Sequence, residues 1–297
     1  MRESVRVIIN PAAGRGRAAR MIPEVLAKFS AIGVTDIVTT VAPGDETALT
    51  IEGIRNGCTT IVAGGGDGTS SAVANAILTT EINTRLAVLP LGTGNDFAKT
   101  LGTCGATIEA VAQRAVEHST ARVDVGHVED TYFLNSCGFG FDVAVIERIG
   151  RMRWLRGDSV YIASALRELF GFRGSRIAVT SSAGTRETAR HLLLVIANTP
   201  HFGGSFTIAP DASVTDGKLD SISVMDLRPH RRIGVLASAA RGRHLRYAEC
   251  RAEVAESFSL VFDVPPSYET DGELRRATTT ILSVSCVPSA LRVLTIA

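Results

Sequence analysis

Two apolar runs, each breaking into a glycine turn that carries an acid, constrain this chain more than any other feature. The first is Ile61-Val62-Ala63-Gly64-Gly65-Gly66-Asp67-Gly68-Thr69 and the second is Leu89-Pro90-Leu91-Gly92-Thr93-Gly94-Asn95-Asp96-Phe97. Each reads as a buried strand feeding a helix through residues that lack side chains. Successive glycines let backbone N–H groups close on a phosphate. The helix that follows offers its free amides and the positive end of its dipole to an anion. A carboxylate at such a turn would repel phosphate unless a cation lay between them, so Asp67 and Asp96 point to a divalent metal bridging to a nucleotide phosphate. One such turn is weak evidence; two, both after apolar strands, argue for a parallel α/β unit built around a phosphate.

The surrounding pattern agrees. Val5–Ile9, Asp36–Val41, Thr60–Ala63 and Leu86–Pro90 read as strands. Glu46–Asn56, Thr69–Leu78 and Thr107–Glu117, with apolar residues three and four apart, read as the intervening helices, and a short helix Phe97–Leu101 follows the second turn. After Val123 the alternation stops. Tyr132–Ser136, Arg176–Ser181, His191–Ala197, Leu219–Met225 and Phe258–Asp263 read as strands of an antiparallel sheet. Helices are expected at about Ser159–Leu169 and Arg231–Arg241, and Leu282–Ile296 is again strand-like.

Three N-terminal blocks form a recognisable set: Ile8-Ile9-Asn10-Pro11-Ala12-Ala13-Gly14, Gly65-Gly66-Asp67-Gly68-Thr69 and Pro90-Leu91-Gly92-Thr93-Gly94-Asn95-Asp96-Phe97. Val123-Asp124-Val125-Gly126, Asn135-Ser136-Cys137-Gly138-Phe139-Gly140-Phe141-Asp142, Pro210-Asp211 to Asp216-Gly217, and Asp271-Gly272-Glu273 follow in order. With these blocks the chain resembles the diacylglycerol kinase catalytic family, of the bacterial soluble type that is similar to sphingosine and ceramide kinases. The resemblance implies a phosphofructokinase-like α/β nucleotide-binding domain over residues 1–122, joined by a C-terminal segment from about 282 to 297. It implies a β-sandwich-like lipid-substrate domain over 123–281. The implied activity is transfer of the γ-phosphoryl of ATP, with Mg²⁺, to the hydroxyl of diacylglycerol or a related lipid alcohol, as in phospholipid biosynthesis.

The resemblance also assigns residues. Asn10, Pro11, Ala12, Ala13, Gly14, Thr40, Gly65, Gly66, Asp67, Gly68, Thr69, Thr93 and Asn95 fall on nucleotide-binding positions. Arg15, Arg17 and Arg20 are placed to reach phosphates. Thr69 can also cap the following helix, helix capping by Asn95 or Asp96 is the alternative at the second turn, and Thr40 reads alternatively as a plain strand residue. One departure stands out: Ser70-Ser71-Ala72 replaces the Leu-Asn-Glu of many relatives, removing a carboxylate and an amide beside the nucleotide.

A group must accept the hydroxyl proton as the new bond to phosphorus forms. The family places its base within Asp271-Gly272-Glu273; Glu273 is favoured, with Asp271 orienting it or sharing the role, and Asp67 completes the catalytic set. Asp-Gly is also a strong hairpin signal, so the same three residues read equally well as a turn. Ser213, Asp216 and Lys218 match a loop that holds a structural Mg²⁺ in some relatives, the first and last through backbone carbonyls, because a lysine side chain has no acceptor. Asp96 and Asp124 are further metal candidates, and Asp124 reads alternatively as a buried structural carboxylate.

Composition narrows the partners. The 297 residues are 45% hydrophobic and 21% charged, with net charge +1, which gives no global electrostatic case for nucleic acid. Five scattered cysteines without a Cys-x-x-Cys pair fit a reduced, cytoplasmic protein, and a chain starting on a strand reads as lacking a signal peptide. The longest apolar run, Leu192–Ala197, falls far short of the roughly 20 residues of a membrane span. A lipid substrate would therefore be met at the inner membrane surface, by peripheral contact. Arg148, Arg151, Arg153 and Arg156 around Trp154 are the candidate contact. The arginines flanking the second helix, from Arg228 to Arg246, read as a solvated face. A homodimer is compatible with this pattern. The rival readings are a kinase of NAD or sugar phosphates, which shares the Gly-Gly-Asp-Gly turn, and a catalytically weak nucleotide- or lipid-binding regulator.

Overall fold

The computed structural model describes residues 4–80, 82–117, 119–151 and 169–295. The chain divides into two units, residues 1–125 with 288–297, and residues 126–287. It passes from the first to the second within one strand, Ala121–Val128, and returns within another, Ile281–Val293. The return falls at Pro288 rather than at about 282, because residues 281–285 of that strand pair inside the second unit before residues 292–293 pair inside the first.

The first unit is a parallel sheet. Its strands are β1 (Val5–Ile9), β2 (Asp36–Thr39), β3 (Thr60–Gly65) and β4 (Arg85–Pro90), in the order β4-β3-β1-β2. Residues 292–293 add a parallel partner at the β4 edge. All five residues of β1 are buried, as a parallel strand covered on both faces requires. The helices are α1 (Ala13–Ala31), α2 (Asp45–Arg55), α3 (Asp67–Thr79), α4 (Asp96–Thr100) and α5 (Ile108–Val116). Phe29 of α1 and Val111 of α5 bury against Val7, Val62 and Leu89. On β1 the Arg6 guanidinium is buried, and is neutralised by Asp36 at 2.8 Å and Glu52 at 3.2 Å. Strand β2 ends at Thr39, short of the expected Val41, because its pairing with β1 stops there.

The second unit is antiparallel apart from its helices. Its strands are β5 (Ala121–Val128, shared with the first unit), β6 (Thr131–Phe133), β7 (Ser136–Gly140), β8 (Ser175–Ser181), β9 (Gly184–Ala197), the short β10 (His201–Phe202) and β11 (Phe206–Thr207), β12 (Leu219–Met225), β13 (Cys250–Ala255), β14 (Ser257–Phe262), β15 (Ser267–Thr270), β16 (Glu273–Arg276) and β17 (Ile281–Val293). Helices α6 (Phe141–Arg151) and α7 (Pro229–Ala239) complete it. Strand β9 spans two partnerships: its first half pairs with β8, its second with β7 and β12. Alternation along that second half explains the long apolar run. Leu194 and Ile196 enter one core with Phe139, Phe258 and Tyr268; Leu193, Val195 and Ala197 enter the other, under α7. The single strand expected over Tyr132–Ser136 is in fact two, β6 and β7, parted at Leu134-Asn135.

Among the described residues no helix is long and apolar enough to cross a membrane. The expected helix Ser159–Leu169, all but its last residue, and Arg153, Trp154 and Arg156 lie outside the described residues. One arginine of the second basic stretch is an internal anchor: Arg232 is buried and donates to Asp226 at 2.7 Å and to the carbonyl oxygens of Leu227 and Leu169, while the exposed Arg231 pairs with Glu249.

Candidate active site

In the first unit, the glycine turns after β1, β3 and β4 meet at backbone distance. A Cβ on Gly14 would lie 2.5 Å from the Leu91 carbonyl oxygen, and one on Gly92 would lie 2.3 Å from Gly66 Cα. No side chain fits at either position, so the glycines serve turn-to-turn packing as well as any approach by a ligand. Gly14, Arg15 and Gly16 are all left-handed, with φ of 59°, 56° and 82°, and interrupt α1 at its first turn. The Arg17 guanidinium crosses to the third turn and donates to the Gly92 carbonyl at 3.1 Å. Arg15 and Arg20 are exposed.

Asn10 is spent internally. Its Oδ1 accepts from Ala12 N at 3.0 Å, and its Nδ2 donates to Glu46 Oε1 at 3.0 Å and Thr69 Oγ1 at 3.2 Å. It therefore stitches the β1 turn to α2 and α3. Thr69 does not cap α3; Gly66 holds that position with no side-chain cap, and the Thr69 hydroxyl serves as acceptor for Asn10. Asn95, left-handed at φ 53°, does not cap α4 with its side chain either. Its amide exchanges two bonds of 3.0 Å with the Gly92 backbone and braces the turn. Thr93 is exposed at the tip of that turn, and Thr40 is buried at the end of β2.

Asp67 caps α4 from the neighbouring turn. Its carboxylate accepts from Phe97 N at 3.2 Å and draws on the amides of Asp96 and Asn95. Burial still pushes its pKa up, and the charge of Asp96 adds to that push. Asp96, itself buried, takes Lys99 Nζ at 2.7 Å. Two carboxylates that repel each other beside three packed backbone turns form a donor set that suits Mg²⁺, which is commonly held by one or two carboxylates together with phosphate and water. Among the described residues no group of three or more metal-binding side chains occurs. Asp124 is buried and accepts from Ser289 N at 2.7 Å, at the left-handed bend of Ser289.

In the second unit, Asp271 and Gly272 form the two-residue turn between β15 and β16, both with positive φ of 51° and 88°. The hairpin reading is therefore right, and the motif does more besides. The Asp271 carboxylate accepts from Leu134 N at 2.8 Å, Asn135 N at 2.7 Å and Ser136 N at 3.2 Å. This grip parts β6 from β7. Glu273 is exposed at the start of β16. The buried Glu269 accepts from Gly272 N at 2.5 Å, tying down the turn from below.

In the Ser213–Lys218 loop, Lys218 N donates to Asp216 Oδ1 at 3.0 Å, and Ser213 Oγ lies 3.2 Å from Thr215 Oγ1. Nearby Asp220 is raised to about 6 by burial, then by the charges of Asp216 and Asp211.

Three side chains escaped the sequence reading: Glu46, Asp142 and Glu269. Glu46 sits in the first turn of α2, where an acid is expected for the dipole alone. Asp142 closes the Gly-Phe-Gly-Phe-Asp block, and Glu269 occupies a strand whose last three residues are all buried. Only those positions hinted at them.

Comparison with known proteins follows the same division. Residues 4–128 match the diacylglycerol kinase catalytic domain, and residues 135–295 match the YegS C-terminal NAD kinase beta sandwich-like domain. The chain carries a diacylglycerol kinase catalytic domain over residues 4–128, and over its larger part it belongs to the family of the YegS C-terminal NAD kinase beta sandwich-like domain. It is similar to a diacylglycerol kinase of Bacillus subtilis, 29% identical over 81% of this chain and 80% of that one. A diacylglycerol kinase of Mycobacterium tuberculosis is 28% identical over 98% of this chain and 94% of its own. The crystal structure of a diacylglycerol kinase from Bacillus anthracis shares the fold, with TM-score 0.73 at 22% identity, covering 99% and 97% of the two chains. The family fold, a parallel α/β region with an antiparallel β-sandwich-like region, is the one described above.

Proposed function

We propose that this member of the family is an ATP- and Mg²⁺-dependent lipid kinase that phosphorylates the hydroxyl of diacylglycerol or a related lipid alcohol, giving phosphatidic acid or its equivalent. The observation that carries this reading is the packing of three glycine turns at the ends of adjacent parallel strands, with Asp67 and Asp96 beside them. In this reading the turn amides and the N-termini of α3 and α4 bind the triphosphate. Asp67 and Asp96 hold the metal, which when bound neutralises charge on the transferring phosphoryl group. The braces from Asn10, Asn95 and Arg17 fix the turns, so that little reorganisation is needed on binding. Glu273, exposed and carried on a turn anchored at two points, takes the hydroxyl proton. Asp271 serves as its mount. A cation at Asp216, with the Ser213 and Lys218 carbonyls, steadies the second unit. The lipid is met at an anionic membrane surface.

The experiment is incubation of the purified chain with γ-labelled ATP, Mg²⁺ and a panel of diacylglycerol, other lipid alcohols, NAD and water. Label in the lipid fraction is the expected result. The NAD arm is included because the second unit's family description names NAD kinase; label in NAD alone overturns the lipid reading. Nucleotide binding with no transfer to any acceptor would favour a regulator.

A further inference from the structure

Beneath the Asp271-Gly272-Glu273 turn lies a pair of buried acids that the proposed chemistry does not use. Asp142, at the start of α6, and Glu269, on β15, are 9% and 1% exposed. Both reach toward the same bare backbone. A Cβ on Gly138 would lie 1.9 Å from Asp142 Oδ2 and 2.5 Å from Glu269 Oε1, so the two oxygens sit no farther apart than those lengths together. Neither Asp142 oxygen, nor Glu269 Oε1, has a donor in hydrogen-bonding geometry. The other Glu269 oxygen accepts from Gly272 N, in the middle of the turn.

The charges facing the pair are mostly negative. Asp271 and Glu273 act on Glu269 from the turn and from β16. The Cys137 thiol on β7 is also held protonated by burial and by the same acids. Arg275 on β16 faces Cys137 and donates to Thr270 Oγ1 at 2.9 Å, rather than to either acid. The amides of Asp142 and Val143 at the start of α6 lie near the Asp142 carboxylate and pull the other way, but outside hydrogen-bonding geometry. Two desolvated carboxylates this close cannot both be charged without a cation between them. A proton resting between them instead satisfies an orphan oxygen on each.

We propose that Asp142 and Glu269 form a proton-sharing acid pair that positions the Asp271-Gly272-Glu273 turn, and that its loss of the shared proton at high pH releases the turn. Both groups are positioning residues acting through Gly272. The effect on turnover rests on the lipid-kinase reading; the existence of the pair does not. Burial holds both acids above the usual carboxylate range, and for Glu269 the charge of Asp142 adds to that push. The unfolded chain therefore loses these protons first, and folded stability falls as pH rises from the ordinary carboxylate range toward neutrality.

Three variants test this in the full chain: Asp142→Asn, Glu269→Gln and Glu269→Leu. Glutamine keeps an acceptor for Gly272 N and turns an N–H toward Asp142, imitating the shared proton permanently; leucine does neither. The first readout needs no activity. Infrared spectra at about pH 7 should show the carbonyl stretch of a protonated carboxyl in the wild type, weakened in Asp142→Asn and Glu269→Gln. The drop in Tm between about pH 5 and pH 8 should shrink in both variants. The second readout is kcat against pH for the lipid acceptor. The wild type should lose kcat on the alkaline side with KM for ATP held, and Glu269→Gln should move that limb upward. Glu269→Leu should lose on the order of 10–100-fold in kcat throughout. A wild type with no protonated-carboxyl band, or a Tm gap unchanged in Asp142→Asn and Glu269→Gln, overturns the pair. Equal kcat–pH profiles for Glu269→Gln and the wild type overturn its positioning role. A chain inactive on every lipid but showing the band and the Tm behaviour refutes the kinase reading and leaves the pair standing. Should Glu269→Leu fail to fold, the two conservative variants still decide.

Discussion

Replacing Asp271 separates a carboxylate spent on structure from one spent on chemistry. Its two oxygens hold three backbone amides, Leu134, Asn135 and Ser136, at 2.8, 2.7 and 3.2 Å. Asp271→Ala removes every one of these acceptors at a position only 9% exposed. Each orphaned buried amide costs about 1–3 kcal/mol, and with the two shorter bonds at about 1–2 kcal/mol each and the longest at about 1 kcal/mol the sum is about 3–5 kcal/mol. Alanine also has to adopt φ 51°, which costs roughly 1 kcal/mol more for a residue with a Cβ and no polar side chain. The total is about 4–6 kcal/mol. At about 2–4 °C per kcal/mol for a unit of this size, Tm should fall by roughly 10–20 °C. Asp271→Gly carries the same loss of acceptors without the left-handed penalty, so it should be the more stable of the two by about 1 kcal/mol. Scanning calorimetry and urea midpoints measure these differences, and turnover is measured well below either transition. If Asp271→Ala unfolds within about 1 kcal/mol of the wild type while turnover collapses, the carboxylate serves chemistry and the structural argument is refuted.

Four other outcomes are expected. Asp67→Ala should abolish phosphoryl transfer with the fold retained in circular dichroism, losing only about 1 kcal/mol for the missing cap on α4; wild-type turnover by the folded variant would rule this role out. Glu273→Gln should lower kcat far more than it raises KM for ATP, since a proton acceptor acts in the chemical step; a change in ATP affinity alone would make it a binding residue. Gly92→Ala, whose Cβ would meet Gly66 Cα at 2.3 Å, should push the β3 and β4 turns apart at a cost of about 1–3 kcal/mol, and calorimetric titration should show ATP affinity down at least about tenfold. Activity on vesicles should rise with anionic lipid and fall with salt, and Arg151 and Arg153 neutralised together should weaken vesicle binding while sparing a short-chain substrate; unchanged binding would return that stretch to a solvated face.

Much of the first unit was legible because its signals are local. An apolar run covered on both faces, then glycines, then a helical period, describes one βα step without reference to anything distant. Strands β1, β3 and β4 and helices α2, α3 and α5 accordingly lie within a residue or two of where periodicity puts them. The antiparallel unit was harder to read. Strand β7, with its Gly138 and Gly140, has no alternation to reveal it, and β15 and β16 are short. The break between β6 and β7 has no local cause at all, since the carboxylate responsible sits 136 positions away.

The same distinction separates the residues. Sequence alone put Asp67 and Asp96 where a glycine turn enters a helix, and Asp271-Gly272-Glu273 on a turn signal, because glycine neighbours and flanking strands say so. Only the tertiary structure decided what each side chain does there. Asn10 faces Thr69 across 59 positions and Glu46 across 36, so an amide that reads as nucleotide-binding is occupied by the protein itself. Asp142 and Glu269, ordinary in sequence, become a pair because β7, β15 and α6 pack at Gly138. A side chain's type limits the bonds it can make, but burial and distant partners choose among them. Those depend on how segments far apart in the chain come together.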